Sequence, residues 1–384
     1  MLGIVTTRGA LAYPSRLGLP PGSGGSIVQP MSTEWARSRC RERLERLADV
    51  EQDCDSLRRE VIAELRQAIG FERWCAPLVD PDTLIAHTGM GETDHLADMP
   101  LLQLHDSSLC EVNNGVMLAL GRERVGCLSA ITDGNLARSR RWDESLNHYG
   151  TGDELRVVAV DERGCWGRFD LWRDRDDRPF DADDAALVRA ASTSLGRALR
   201  RATIRSRTNA PKAPLETGIL LIGPDLLPRG ATATVQAWFR ALNPAGFPYK
   251  DGIPSLIWTT VGRLIAAARG EDPARPARIR VRTGDGTWAI VEAARLDAPD
   301  GLLAVNMHAA GVDDILAVTC RAYGLSRRQR ELAVLVVQGL DTQTIASKLC
   351  ISSYTVQDHL KSIFDKIGVH GRLELVTRMF AQVA

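Results

Sequence analysis

Tyr354, Gln357, Asp358 and Lys361 follow one another at spacings of three, one and three, so a helix through them carries a phenol, an amide, a carboxylate and an ammonium on one face. That set suits recognition rather than bond making. An amide pairs bidentately with an adenine edge, a lysine meets guanine or phosphate, and a carboxylate accepts from cytosine. Ser352, Thr355, His359 and Lys366 surround these four, and Thr342 and Gln343 open the preceding apolar block. Nothing in the chain competes as a catalytic set. There is no Ser/His/Asp, HExxH or paired-carboxylate constellation, no GxxxxGK[ST] phosphate loop, and no CxxC pair among the eight cysteines. A non-enzymatic protein without cofactor or metal is expected.

The recognition set needs a helix to hold it, and the local sequence provides one. Val356, Leu360, Ile363 and Ile367 step by four, three and four, and Ser352 caps a helix over Ser353 to Ile367 whose other face is polar. Upstream, Ser326 and Gln329 form a capping box before a helix that buries Leu332, Leu335 and Val336 and stops at Gly339. Asp341 caps a short helix ending near Leu349, with Ile345, Ala346 and Leu349 as its apolar stripe. Two capped helices with a tight connection, the second longer and polar outside, match what enters a major groove about 12 Å wide. From Cys320 to the end, nine Lys and Arg face five acids, a net of plus four, while the whole chain is neutral. Positive charge is thus gathered where phosphates would be met.

These residues resemble the LuxR-type (GerE) helix-turn-helix of bacterial transcription regulators. The matching positions are Leu325-Ser326, Arg330-Glu331-Leu332, Gly339-Leu340, Ile345-Ala346, Leu349, Ile351-Ser352, Thr355-Val356, His359-Leu360, Ile363, Lys366-Ile367-Gly368-Val369 and Arg372 to Val376. The resemblance implies four helices over residues 325–384, binding of double-stranded DNA as a homodimer, and recognition by the helix after Ser352. Gln357 replaces a usual lysine, Thr342 and Gln343 stand where the family tends to be basic or amide-bearing, and Asp358 sets a carboxylate near the DNA backbone. A fourth helix from Gly371 offers Leu373, Val376 and Phe380 as a dimerisation face. The alternative is a non-enzymatic interaction protein whose helix-turn-helix-like domain binds another regulator.

With 384 residues, 44% hydrophobic and 25% charged, the rest of the chain has room for further domains. No apolar run is long enough to span a bilayer and no leader pattern opens the chain, so a cytoplasmic location without membrane contact is expected. Residues 1–32 are rich in Gly, Pro and Ser and read as a disordered tail, with Met31 as an alternative start. Residues 33–70 read as an amphipathic helix, Leu47, Val50, Cys54, Leu57 and Val61 forming its seam. Over residues 71–204, short strands turning at Asp80-Pro81-Asp82, a hairpin through WGRFDLWR and a closing helix resemble a GAF-type sensor, which implies a small-molecule ligand between the sheet and the middle region His87 to Asn147. Residues 205–216 read as a linker. Residues 217–310 resemble a PAS domain with Trp238, Trp258 and Trp288 in its core, or else a fold-completing domain that binds nothing, and residues 311–324 a connecting helix. The expected fold class is multidomain α+β: GAF-like and PAS-like sensors followed by an all-α four-helix LuxR-type domain. The expected function is a one-component transcription regulator in which a small-molecule or protein signal controls DNA binding.

Overall fold

Asp53 decides how residues 33–70 are divided. Its carboxylate accepts the backbone N–H groups of Asp55 and Ser56, each at 2.9 Å, and so starts a new helix. In the computed structural model, which describes residues 33–92, 99–205, 215–243, 252–271, 275–297 and 300–380, the expected single helix over 33–70 is therefore two packed helices. These are α1 (Thr33–Asp49) and α2 (Cys54–Ile69). Val50, expected in the seam, is left 56% exposed at the break. The tail before residue 33 and most of the expected linker lie outside the described residues.

The first sheet contains β1 (Arg73–Cys75), β2 (Leu78–Val79), β3 (Ala86–His87), β4 (Gly91–Glu92), β5 (Val125–Cys127), β6 (Thr151–Asp161) and β7 (Gly164–Asp174), all pairs antiparallel. β7 pairs with both β1 and β2, which pair with β4 and β3 in turn, so residues 73–79 and 86–92 behave as two interrupted strands. Between β4 and β6 come the short helices α3 (Met99–Ser107), α4 (Gly115–Leu120), α5 (Leu128–Ile131) and α6 (Arg140–Glu144). Helix α7 (Ala182–Arg205) then closes over β6, burying Leu187, Val188, Ala191, Leu195 and Leu199. Its Gly196 allows the close approach: a Cβ there would lie 2.7 Å from the Val160 carbonyl carbon.

The second sheet follows with β8 (Gly218–Ile222) and β9 (Pro228–Ala231), helices α8 (Val235–Leu242) and α9 (Ser255–Ala268), then β10 (Arg278–Arg282), β11 (Trp288–Arg295) and β12 (Leu303–Ala309). Its order is β10-β11-β12-β8-β9, antiparallel throughout. Numbered within the unit, that order is third, fourth, fifth, first, second. The first sheet, with each interrupted strand counted once, runs β5-β6-β7 and then 73–79 and 86–92, which is the same order. Two units of one topology stand in series, and no repeat in the sequence announces it. They also share an interior. Trp238, Trp258 and Ile257 of the second unit pack in one cluster with Ile85, Leu102, Leu146 and Trp172 of the first, where α3 lies on α9.

The region expected to hold a ligand in the first unit is filled by charge. Arg156 of β6 reaches Asp106 of α3 at 2.6 Å, Asp170 of β7 at 3.0 Å and Glu154 at 3.5 Å; Arg168 reaches Asp106 and Asp170, each at 2.9 Å; Arg141 of α6 pairs with Glu154. Three guanidiniums thus balance three carboxylates, all buried. Burial alone would raise the Asp106 carboxyl, but Arg156 and Arg168 hold it well below the usual range, whereas burial pushes Asp170 up. The cavity left beside this network measures about 50 Å³, enough for a water or two. Where a ligand was expected between sheet and middle helices, the ion network lines the space and fastens α3 and α6 to the sheet.

Candidate nucleic-acid interface

Four helices complete the chain after the connecting helix α10 (Val312–Ala322): α11 (Arg327–Val337), α12 (Thr342–Leu349), α13 (Ser353–Ile367) and α14 (Arg372–Phe380). Their boundaries follow the caps. The Ser326 hydroxyl accepts from Gln329 N while Gln329 Oε1 accepts from Ser326 N; Asp341 accepts from Thr344 N; Ser352 accepts from Thr355 N. Leu332, Ala333, Ile345, Val356, Leu360, Ile363 and Leu375 meet in one core. Cys350 takes the left-handed position ending α12, with φ 53°, so the tight turn into α13 is made by a residue that pays some strain there.

Burial of Val356, Leu360, Ile363 and Ile367 forces the opposite face of α13 outward. Tyr354 is 76% exposed, and Gln357, Asp358 and Lys361 are exposed beside it. Lys361 has no hydrogen-bond or ion-pair partner among the described residues, so its ammonium is available. Gln343 of α12 is exposed as well.

Most of the remaining candidates are engaged within the domain. The Ser352 hydroxyl is held by the cap and lies 2.9 Å from that of Thr355. The Thr342 hydroxyl accepts from Arg372, and His359 is half-buried on the flank of α13. Lys366 donates to the Gly324 carbonyl at 3.0 Å and to Gln329 Oε1 at 2.8 Å, fastening α13 to the start of α11 rather than pointing from the exposed face. Two further cations, Arg330 and Lys348, are exposed and without an ion pair among the described residues; Arg330 stood in the sequence only as a position of the family resemblance, and the local excess of basic residues was the only signal for Lys348. On α14, Leu375 and Met379 turn inward, Val376 is half-buried, and Leu373 stands 82% exposed. The side chain of Phe380 lies outside the described residues.

Residues 324–379 match the signature of the bacterial regulatory proteins of the luxR family. Over 55 residues the chain is 42% identical to spore germination protein GerE of Bacillus subtilis, covering 14% of this chain and 74% of GerE. The chain belongs to the LuxR family. It is also similar to the transcriptional regulatory proteins UhpA of Escherichia coli (38% over 56 residues, 15% of this chain and 29% of UhpA) and DesR of Bacillus subtilis (39% over 54 residues, 14% and 27%). The chain thus spans about three quarters of GerE and under a third of the other two.

The LuxR-family match begins at Gly324, and that glycine is where the structure joins the domain to the rest. Its φ is +68°, and a Cβ would stand 2.5 Å from the Arg163 guanidinium. Helix α10, just before it, belongs to two cores. Ile315, Val318 and Ala322 pack with the first unit, while Leu316 and Cys320 pack with the LuxR-family helices. Arg163 and Arg200 both donate to the Ala322 carbonyl, at 2.8 and 2.7 Å, and Arg321 reaches the Pro81 carbonyl and Asp82. Among the described residues no helix is long and apolar enough to cross a membrane.

Proposed function

We propose that this chain is a transcription regulator that binds double-stranded DNA as a homodimer through α13, under the control of its N-terminal units. The observation that carries this is the outward face of α13. A capped helix in a LuxR-family domain presents Tyr354, Gln357 and an unpartnered Lys361 to solvent. Replacing Lys361 by Ala is expected to weaken DNA binding by roughly 1 to 3 kcal/mol if it reads a base. A titration at fixed salt checks this, and unchanged affinity removes Lys361 from the interface.

Asp358 and Asp365 flank Lys361 on the same helix and are exposed, which is the observation favouring a protein partner instead. Salt separates the two readings. Phosphate contacts make DNA affinity fall steeply with added salt, so a fragment library should shift at low salt and release as salt rises; no shift at any salt supports the protein partner.

Leu373 is the candidate dimer contact, because an 82% exposed leucine on a terminal helix leaves apolar surface wet. Leu373→Glu is expected to give monomers in sedimentation and to weaken binding to a two-half-site operator more than to one half-site. A variant that stays dimeric moves the seam to α1 and α2.

The reading of the N-terminal units as GAF-like and PAS-like sensors is supported by their common strand order and by helices set between the second and third strands. Control by a small-molecule or protein signal is supported by α10, whose side chains are divided between the two cores, so that a shift in one unit must be felt in the other.

A further inference from the structure

A cleft of about 490 Å³ opens where the first unit, the second unit and α10 meet. That volume falls within the range of small-molecule sites, unlike the small cavity beside the ion network. Its apolar wall includes Trp166, Trp288 and Leu78, and Val318 brings α10 to its edge. Of its carboxylates, Asp80 is held by Arg280, Asp55 by Arg58, and Asp53 by the N-terminal amides of α2. His87 is buried, its pKa pushed down to about 4 by that burial, so it presents a neutral ring at neutral pH.

Two groups set the chemistry of an occupant. The Arg282 guanidinium lines the cleft and stacks on Trp288, 4.7 Å from the ring centroid. Trp288 itself is 6% exposed, and its indole N–H is a buried donor with no hydrogen-bond partner among the described residues. A buried donor left unmade costs about 1 to 3 kcal/mol in general, so such a group signals a missing acceptor. A cation beside an orphaned N–H, next to a flat apolar wall, is complementary to a carboxylate or sulfonate on an aromatic body.

We propose that this interdomain cleft is a binding site for a small aromatic organic anion, with its acidic oxygens toward Arg282 and the Trp288 N–H and its ring against Trp166 and Leu78. The inference deepens the sensor reading above: an occupant touching Val318 bears on the helix shared by both cores. The binding itself is tested without DNA, so failure here and failure of DNA binding are separate results.

The probe is 8-anilinonaphthalene-1-sulfonate, titrated into the full chain while its fluorescence and the tryptophan emission are followed. The expected result is one saturable site per chain. Arg282→Gln, which removes the charge, and Thr203→Phe, which fills the cleft from α7, should each weaken that site at least tenfold while far-ultraviolet circular dichroism stays that of the parent. Absence of a saturable site in the parent overturns the proposal, as does equal binding by folded Thr203→Phe. If Arg282→Gln fails to fold, Trp288→Phe, which keeps the ring and deletes the N–H, takes its place, and unchanged binding by it overturns the assignment of the anion to that donor.

Discussion

Arg156→Met is expected to lower the stability of the first unit by about 3 to 5 kcal/mol, the usual consequence of removing one partner from a buried ion network. Met keeps most of the aliphatic volume, so the loss is electrostatic. Asp106, Asp170 and Glu154 would remain buried with two guanidiniums for three carboxylates. Asp170 is the group expected to yield first, since burial already raises its carboxyl, and it should take up a proton in the variant. Adding Asp170→Asn to Arg156→Met therefore should recover part of the loss. Urea unfolding followed by tryptophan emission reports it, because Trp172 donates to Glu154 within the network at 2.8 Å. A variant that loses less than about 1 kcal/mol would show that the charges are solvated rather than mutually held.

Asp80→Ala should have an effect of similar size, about 3 to 5 kcal/mol, at a different place. Asp80 is 2% exposed and accepts from Arg280 N, Nε and Nη2 at 3.0, 3.0 and 2.9 Å, joining the β2–β3 turn of one unit to β10 of the other. Its Oδ1 also accepts the Asp82 and Thr83 amides that shape the turn. Without it Arg280 keeps only Asp82, and the two units should part at lower denaturant. The pH dependence has a definite sign. Burial would raise the Asp80 carboxyl, but the bonds and charge of Arg280 bring it below the ordinary value. Its stabilisation is thus fully present above the unfolded carboxylate pKa, about 3.9, and is lost as pH falls through the lower folded value. The stability gap between the parent and Asp80→Ala should be full near neutrality and close below about pH 4. A gap that persists unchanged into acid would mean the turn geometry, and not the charge, carries the effect.

The LuxR-family helices were legible in detail because their signals are local. Ser326 with Gln329, Asp341, and Ser352 each cap a helix within three residues, and the apolar steps of α13 fix which side faces out. Asp53 was equally local and could have split α1 from α2, but the apolar steps across Val50 and Cys54 favoured continuity. The hairpin of β6 and β7 and the closing α7 were readable for the same reason, while β9, short and exposed, left no periodic trace.

The sequence by itself determined helix α13, its exposed face, and the family that this stretch resembles. Tertiary structure alone decided that Lys366 and Thr342 are occupied within the domain, that the first unit's expected ligand space holds an ion network, and that α10 serves two cores. It also placed Asp80 against Arg280, 200 residues away. The physical reason is reach. A cap or an amphipathic stripe is settled by neighbours within a turn or two, but a buried charge is stable only with a partner, and nothing near it in the chain says where that partner lies.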